Sequence, residues 1–239
     1  MAMQNIATPG IILKRTEYGE ADRILTIYTR ELGKISAIAK GSRKSTSRKS
    51  GHLEVGNIIN FEFVTGKDLY IMTVAKTETY YDYKDLIVMR KLFLWLEIID
   101  KIIHDSERNL NIYEVIIKGL SSINAQGTYS RLAIYELELY STSGYQLEVQ
   151  KCVVGREELV ETNNFIDIRL GGIVCKNHNR GEICINISAS GIKLLRLIQE
   201  CDINMLERIK LDDNLVIELD KVAKLQRYEI IGNKMKVEL

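Results

Sequence analysis

The chain has 239 residues, 46% of them hydrophobic and 27% charged, with a formal net charge of +1. This excludes a disordered polyelectrolyte, which would combine low hydrophobicity with high net charge, and leaves enough chain for two compact units. No apolar run reaches the roughly 18 residues of a membrane span, the first residues carry no leader pattern, and four cysteines are too few for a disulfide scaffold, so a soluble, cytoplasmic protein without a membrane partner is expected.

From Pro9 to about Tyr80 the chain reads GIILKRT, RILTIYTR, GKISAIAKG, NIINFEFVTG and LYIMTVAKTE, each bounded by Gly, Asn, Asp or a charged turn. These predict five strands. Ile11-Leu13, Ile35-Ala37-Ala39 and Ile59-Phe61-Phe63 alternate with period two, whereas Ile24, Ile27 and Leu32 drift in phase. Thr65-Gly66-Lys67-Asp68 marks a hairpin between the last two strands. Short strands in so little chain fit a five-stranded antiparallel barrel of OB-fold type, whose closure removes exposed edges. The segment Tyr18-Gly19-Glu20-Ala21-Asp22-Arg23 reads as a tight turn in which Asp22 and Arg23 are expected to pair.

Between Lys34 and Lys49 stand Lys34, Lys40, Arg43, Lys44, Arg48 and Lys49 with no acidic residue, and Ser42, Ser45 and Ser47 are interleaved, with Ser50 just beyond. Cations that displace condensed counterions, guanidinium forks and neutral hydroxyl donors together suit a phosphate backbone, without reading base sequence. A solvated loop is the other reading of such a run. Its place between barrel strands favours binding, since such loops meet single strands in OB-folds. Tyr18, Tyr28, Phe61, Phe63 and Tyr70 are candidate stacking faces, with burial in the core as the alternative.

After Tyr80 the texture turns helical. DLIVMRKLFLWLEIIDKII places Leu86, Met89, Phe93, Leu96 and Ile99 at helical spacing and predicts a core helix. Further helices are predicted over Leu110 to Ile123, from about Tyr129 to Thr142 with Gly144 as a terminating glycine, after Ser188 or Ser190, and after Asp212 or Asp213. The stretch from Leu147 to Ile187 is irregular, with a Gly171-Gly172 turn and three of the four cysteines. The expected organisation is α+β: an OB-fold domain over 1–80, then a helical domain over 81–239 interrupted at about 147–187.

In that interruption Cys175-Lys-Asn-His178 forms a Cys-x-x-His pair, Cys152 lies upstream, and Cys184 is the candidate fourth ligand of one structural zinc ion, which makes the insertion zinc-finger-like. Buried free thiols are the alternative, and Cys201 reads as a small core residue. Phosphate-cradling, nucleophile-elbow and metalloprotease motifs are missing, so neither catalysis nor a nucleotide cofactor is expected. Glu97-Asp100 and Glu136-Glu138 read as solvated helix faces.

The run from Gly10 to Ser50 resembles the N-terminal signature of the RecO family of bacterial recombination mediators. The matching features are an apolar strand into Lys14-Arg15, then Tyr18 to Arg23, Gly33-Lys34, and Ala39-Lys40-Gly41 with Arg43, Lys44 and Ser47 behind it. Looser similarity continues through Ser143-Gly144-Tyr145, Cys152, Gly171-Gly172 and Cys175. The resemblance implies an N-terminal OB-fold, a helical C-terminal domain and annealing of DNA strands. It also implies help in loading recombinase onto coated DNA, nucleoid association, and two partners: RecR and the acidic tail of the single-strand-binding protein. Lys14, Arg15, Arg23, Lys34, Lys40, Arg43, Lys44, Arg48 and Lys49 are the candidate contacts to single- and double-stranded DNA. Arg131, Lys193 and Arg196 are candidate cations for the acidic tail. A protein-interaction module without annealing activity is the alternative function.

Overall fold

A computed structural model describes residues 5–47, 49–81, 85–123, 131–160, 164–179, 184–200, 203–232 and 235. Five strands, β1 (Asn5–Tyr18), β2 (Asp22–Thr29), β3 (Gly33–Ala39), β4 (Ile58–Val64) and β5 (Tyr70–Thr79), close into a barrel in the order β1-β2-β3-β5-β4. That closure carries one feature the sequence pattern does not express. With an odd number of strands, up and down cannot alternate all the way round, so one junction must be parallel. It is β3 with β5, where Ala37 faces Tyr70 and Ile38 faces Ile71. The other junctions are antiparallel, including the β4–β5 hairpin, in which Val64 faces Ile71 across the predicted turn.

The alternating residues of β3 and β4 behave as their period requires, whereas in β1 it is Ile12, between the expected Ile11 and Leu13, that joins the barrel core. Ile35, Ala37, Ala39, Ile59, Phe61 and Phe63 fill the barrel with Ile12, Leu25, Ile27 and Met72. The phase of β2 is thereby settled: Leu25 and Ile27 point inward and Ile24 does not. Truncating Phe61 or Phe63 to alanine removes a wholly buried ring, a change of about 3–5 kcal/mol. Pro9 lies in β1 just before pairing with β2 begins at Gly10, so one side of the strand is an edge there and a residue without an N–H is tolerated. Between Ile12 and Lys14 the register of β1 against β2 slips, a bulge that turns Leu13 out of the barrel core.

Helix α1 (Leu86–Ile102) begins at Asp85, whose carboxylate accepts the N–H groups of Ile87 and Val88 at 2.7 and 3.2 Å. Its packing face is Leu92, Trp95, Leu96, Ile98, Ile99 and Ile102. The expected core positions Leu86, Met89 and Phe93 are instead exposed, at 66%, 36% and 41%, because they lie on the opposite stripe of the helix. The buried Lys34 of β3 donates to the carbonyls of Asp100, at 2.5 Å, and Ile103, at 3.0 Å, and pairs with the Asp100 carboxylate at 3.1 Å. A lysine thus satisfies the free carbonyls and the negative dipole at the end of α1. The following residues join the barrel edge, Ser106 N–H donating to Lys34 O at 2.8 Å. Gly33, at φ +66°, has no room for a side chain against the Glu107 backbone.

The first compact unit runs from the start of the chain to Tyr113, and the second spans Glu114–Met235, the division falling within α2 (Leu110–Ile123). Asn109 caps α2 at the N–H groups of Asn111 and Ile112. The second unit holds α3 (Leu132–Thr142), α4 (Ala189–Glu200), the short α5 (Ile203–Leu206) and α6 (Asp213–Ile231). The residues 124–130, where α3 was expected to begin, and Cys201 lie outside the described residues. Ser188 caps α4 through the Gly191 N–H, and Asp212 caps α6 through that of Leu215. Gly144, at φ +90°, terminates α3 as its sequence suggests.

Glu136, expected on a solvated face, is buried instead. Its carboxylate accepts from Arg227 of α6 at 2.9 and 3.3 Å and from the Tyr140 hydroxyl at 2.5 Å, clamping α3 to α6. The stretch expected to be irregular contains a three-stranded sheet ordered β7-β6-β8, from β6 (Asn164–Asp167), β7 (Gly172–Cys175) and β8 (Ile185–Ile187). Among the described residues no helix is long and apolar enough to cross a membrane.

Candidate nucleic-acid interface and metal centre

The basic run is a folded turn rather than a free loop. Asp22 does not pair with Arg23; its carboxylate accepts the Gly41 N–H at 2.7 Å, while the Arg43 N–H donates to Ala21 O at 2.9 Å. These bonds dock residues 41–43 onto the β1–β2 turn. The Arg43 guanidinium reaches Glu17 at 3.1 Å and Gly19 O at 3.4 Å. Lys40, Arg43 and Lys44 are therefore presented outward on an ordered backbone, and Lys40 and Lys44 make no ion pair with another described residue.

The other candidate contacts divide by their partners. Lys14 is exposed, and Arg15 is exposed but holds Glu54 at 2.8 Å. Lys34 is tied into the end of α1 and is not available to a ligand. Lys49, half-buried, donates to Met72 O at 3.3 Å. Arg23 is half-buried on β2, with its Nη1 shielded from solvent and lacking a hydrogen-bond partner. Arg48 lies outside the described residues. Of the aromatic residues, Tyr28, Phe61 and Phe63 are core, and Tyr18, at 54% exposure, stands on the surface.

In the second unit, Cys152, Glu157, Cys175 and His178 bring one ligand atom each to within 4.8 Å of one another. Two backbone turns position them. In the first, Arg156 N–H donates to Cys152 O at 2.9 Å; in the second, His178 and Asn179 N–H groups donate to Cys175 O at 3.0 Å. Cys152 Sγ lies 3.7 Å from His178 Nδ1, Cys175 Sγ lies 3.3 Å from it, and Glu157 Oε1 is 2.9 Å from both Cys175 Sγ and His178 Nδ1. A tetrahedral zinc with bonds of about 2.0–2.3 Å has ligand–ligand edges of about 3.3–3.8 Å. The thiol–imidazole edges match, and those to Glu157 are at hydrogen-bond length.

The electrostatics fit a thiolate. Burial opposes ionisation of Cys152, but N–H groups of Cys175, Gly155 and Val154 outweigh it and bring the thiol down to about 7. Cys175 moves up, since it donates to the Glu157 carboxylate and is shielded from solvent; the same bond holds Glu157 down. The donor set can hold a metal ion.

Cys184 is not in this set. Register places Cys175 opposite Asn164 of β6, and β8 pairs along the other edge of β6 with Ile185 opposite Ile166. Cys184 thus falls two strand spacings across and about three residues along from Cys175, about 14 Å away. Its thiol instead lies 3.6 Å from Asp167 Oδ2. Glu157 takes the fourth place. It sits between Arg156 and Glu158, where a carboxylate reads as solvated, and the only hint of its role is the Gly155 turn that brings it back over Cys152.

Arg131 and Arg196, expected to face an acidic partner, donate to backbone carbonyls: Arg131 to Leu206, Glu207 and Ile209, Arg196 to Val149 and Gln150. Lys193 is exposed.

Two family models match the chain: Recombination protein O N terminal over residues 3–81 and Recombination protein O C terminal over residues 92–225. The chain belongs to the RecO family. It is 31% identical to the DNA repair protein RecO of Clostridium perfringens, over 98% of this chain and 96% of the relative. It is 30% identical to that of Dehalococcoides mccartyi, over 89% and 85%, and 26% identical to that of Acetivibrio thermocellus, over 95% and 91%. The N-terminal RecO model covers the barrel with its basic turn, and the C-terminal RecO model covers the Cys/Glu/His group. The family is one of DNA repair and recombination, so both sites stand in that context.

Proposed function

We propose that this chain is a recombination mediator that grips single- and double-stranded DNA by the phosphate backbone, promotes annealing of complementary strands, and helps load recombinase onto DNA coated by single-strand-binding protein. The observation that carries this reading is the docked basic turn: Lys40, Arg43 and Lys44 are held outward by bonds to Asp22 and Ala21. A backbone already held in place loses little further freedom when the side chains it presents meet phosphates. It neutralises the repulsion that keeps two strands apart, while base pairing supplies the free energy of annealing. No nucleotide hydrolysis or other catalysis is involved. RecR and the acidic tail of the single-strand-binding protein are the proposed partners, in a nucleoid-associated cytoplasmic setting.

The metal centre is proposed to hold one structural zinc through Cys152, Glu157, Cys175 and His178. Such an ion would cross-link the two turns; with four protein ligands it leaves no open position for chemistry. The deciding assay for the function is annealing of two complementary labelled strands, bare and coated with single-strand-binding protein. The full-length protein should accelerate annealing with no nucleotide present, and replacing Lys40, Arg43 and Lys44 with glutamine should remove the acceleration. Binding of the partner proteins without any effect on annealing would instead mark the chain as an interaction module.

A further inference from the structure

The four side chains of the metal centre are two pairs of different chemistry. Cys152 and Cys175 are soft donors that can be oxidised, whereas Glu157 and His178 carry no sulfur. The two thiols come from separate turns, yet their sulfurs lie within 4.8 Å of each other, and the Cys175 N–H donates to Cys152 Sγ at 3.5 Å. Sharing one zinc would set them about 3.8 Å apart, and a disulfide needs about 2.05 Å. Rotation of the two side chains takes up the remainder. No other cysteine competes among the described residues, since the strand register puts Cys184 about 14 Å from Cys175.

The second pair decides whether the sulfurs can be reached. Both cysteines are buried, but against them lie the Glu157 carboxylate, 2.9 Å from Cys175 Sγ, and the His178 ring, 3.7 and 3.3 Å from the two sulfurs. These covering side chains are themselves 40% and 36% exposed. An outward swing of Glu157 therefore opens a path that a cage of four buried cysteines would not offer. Nor does loss of a metal leave the second pair without partners, because Glu157 Oε1 and His178 Nδ1 are already 2.9 Å from each other. The same four side chains are satisfied either as one ligand set or as a disulfide beside a carboxylate–imidazole pair.

The geometry points to a reversible oxidation site: a hydroperoxide converts Cys152 and Cys175 to a disulfide and the metal is expelled. One thiolate attacks the peroxide, an S–O bond forming as the O–O bond breaks, and the alcohol or water leaves with a proton. The other thiolate then attacks that sulfenic sulfur; the S–S bond forms, the S–O bond breaks, and hydroxide departs as water on taking a proton. Each sulfur gives up one electron, the peroxide gains two, and the zinc ion leaves with its charge unchanged. The disulfide ties the two turns together where the metal did, and a dithiol reductant reverses the exchange. This inference rests on the zinc reading above and adds to it a response to oxidants.

The test titrates the full-length, zinc-loaded protein with hydrogen peroxide. Released zinc is followed with a chromogenic chelator, and the thiols are mapped by mass spectrometry of a digest. One zinc should be released for each Cys152–Cys175 disulfide formed, the linked peptides being two hydrogens lighter, with Cys184 still a free thiol. Dithiothreitol with added zinc should restore the starting protein. Cys184→Ser should behave as wild type, and Glu157→Ala, which keeps both thiols and removes the exposed cover, should lose zinc faster and reach the same disulfide. Zinc retained while other thiols oxidise, a disulfide to Cys184 or Cys201, or a product dominated by sulfinic acid that dithiothreitol does not reverse would each overturn the exchange while leaving the zinc reading in place. A purified chain that holds no zinc would overturn the zinc reading and the exchange together.

Discussion

Neutralising Lys40, Arg43 and Lys44 together is the perturbation whose effect can be worked furthest from the structure. Lys40 and Lys44 have no ion-pair partner among the described residues and each can meet a phosphate. Arg43 already shares Glu17 at 3.1 Å, so its contribution is discounted. Two to three phosphate contacts are therefore removed. At about 0.7 in the logarithmic salt slope per contact on a single strand, the slope should fall by about 1.4–2.1, and affinity at 0.1 M salt should drop about 25–100-fold. Stability should change by less than about 1 kcal/mol, because the ion pair lost among the described residues, Arg43 with Glu17, lies at the surface. The assay is fluorescence anisotropy of a labelled single strand across a salt series, beside a urea melt. An unchanged slope, or an affinity within threefold of wild type, would refute the assignment of this turn to the backbone grip.

Lys34→Met should leave the DNA salt slope unchanged and cost about 2–3 kcal/mol in urea unfolding, since it strips the buried end of α1 of its donor. Glu136→Gln leaves Arg227 without its counter-charge and should cost about 3 kcal/mol, read by the same denaturation. Glu138, partly buried in α3, is pushed up to about 7 by burial, against the hydrogen bond from Thr142. Its folded pKa therefore lies above its ordinary value of 4.5, so its unfavourable contribution grows as pH rises from about 4.5 through 7 and is relieved on acidification. Glu138→Gln should raise stability at pH 8 by about 1 kcal/mol after solvent screening and flatten that part of the pH–stability curve. Elemental analysis should find one zinc per chain. Chelation should lower the melting temperature, Glu157→Ala should weaken metal retention, and Cys184→Ser should leave it unchanged.

The barrel was legible because a half-buried strand writes its two faces into alternate residues, as Ile59-Phe61-Phe63 does, and because turns need Gly, Asn or Asp. The helix caps at Ser188 and Asp212 were legible for the same local reason. What escaped is long-range. The end of α1 reaches Lys34 from some 66 residues away in the chain, so nothing near Lys34 distinguishes it from Lys40. The buried place of Glu136 depends on Arg227, 91 residues later. Of the expected core positions of α1, Leu96 and Ile99 are buried and Leu86, Met89 and Phe93 are not, because that helix is apolar almost all round, which blurs the periodicity that would orient it. By residue type alone Cys184 qualifies as a ligand; strand order is what separates it from Cys175.

The parallel seam of the barrel is also its shortest, two residue pairs against seven or more at the antiparallel junctions. Its two strands are separated in the chain by the basic turn and all of β4, so the loop that must close before it forms is the longest between consecutive barrel neighbours apart from the β1–β4 closure. The hairpins can assemble without it. Zipping of Ala37–Ile38 against Tyr70–Ile71 is therefore expected late in folding, and in the native protein the amides there should exchange with solvent sooner than those of β1 and β2. The barrel would breathe along the one line where its strands run the same way.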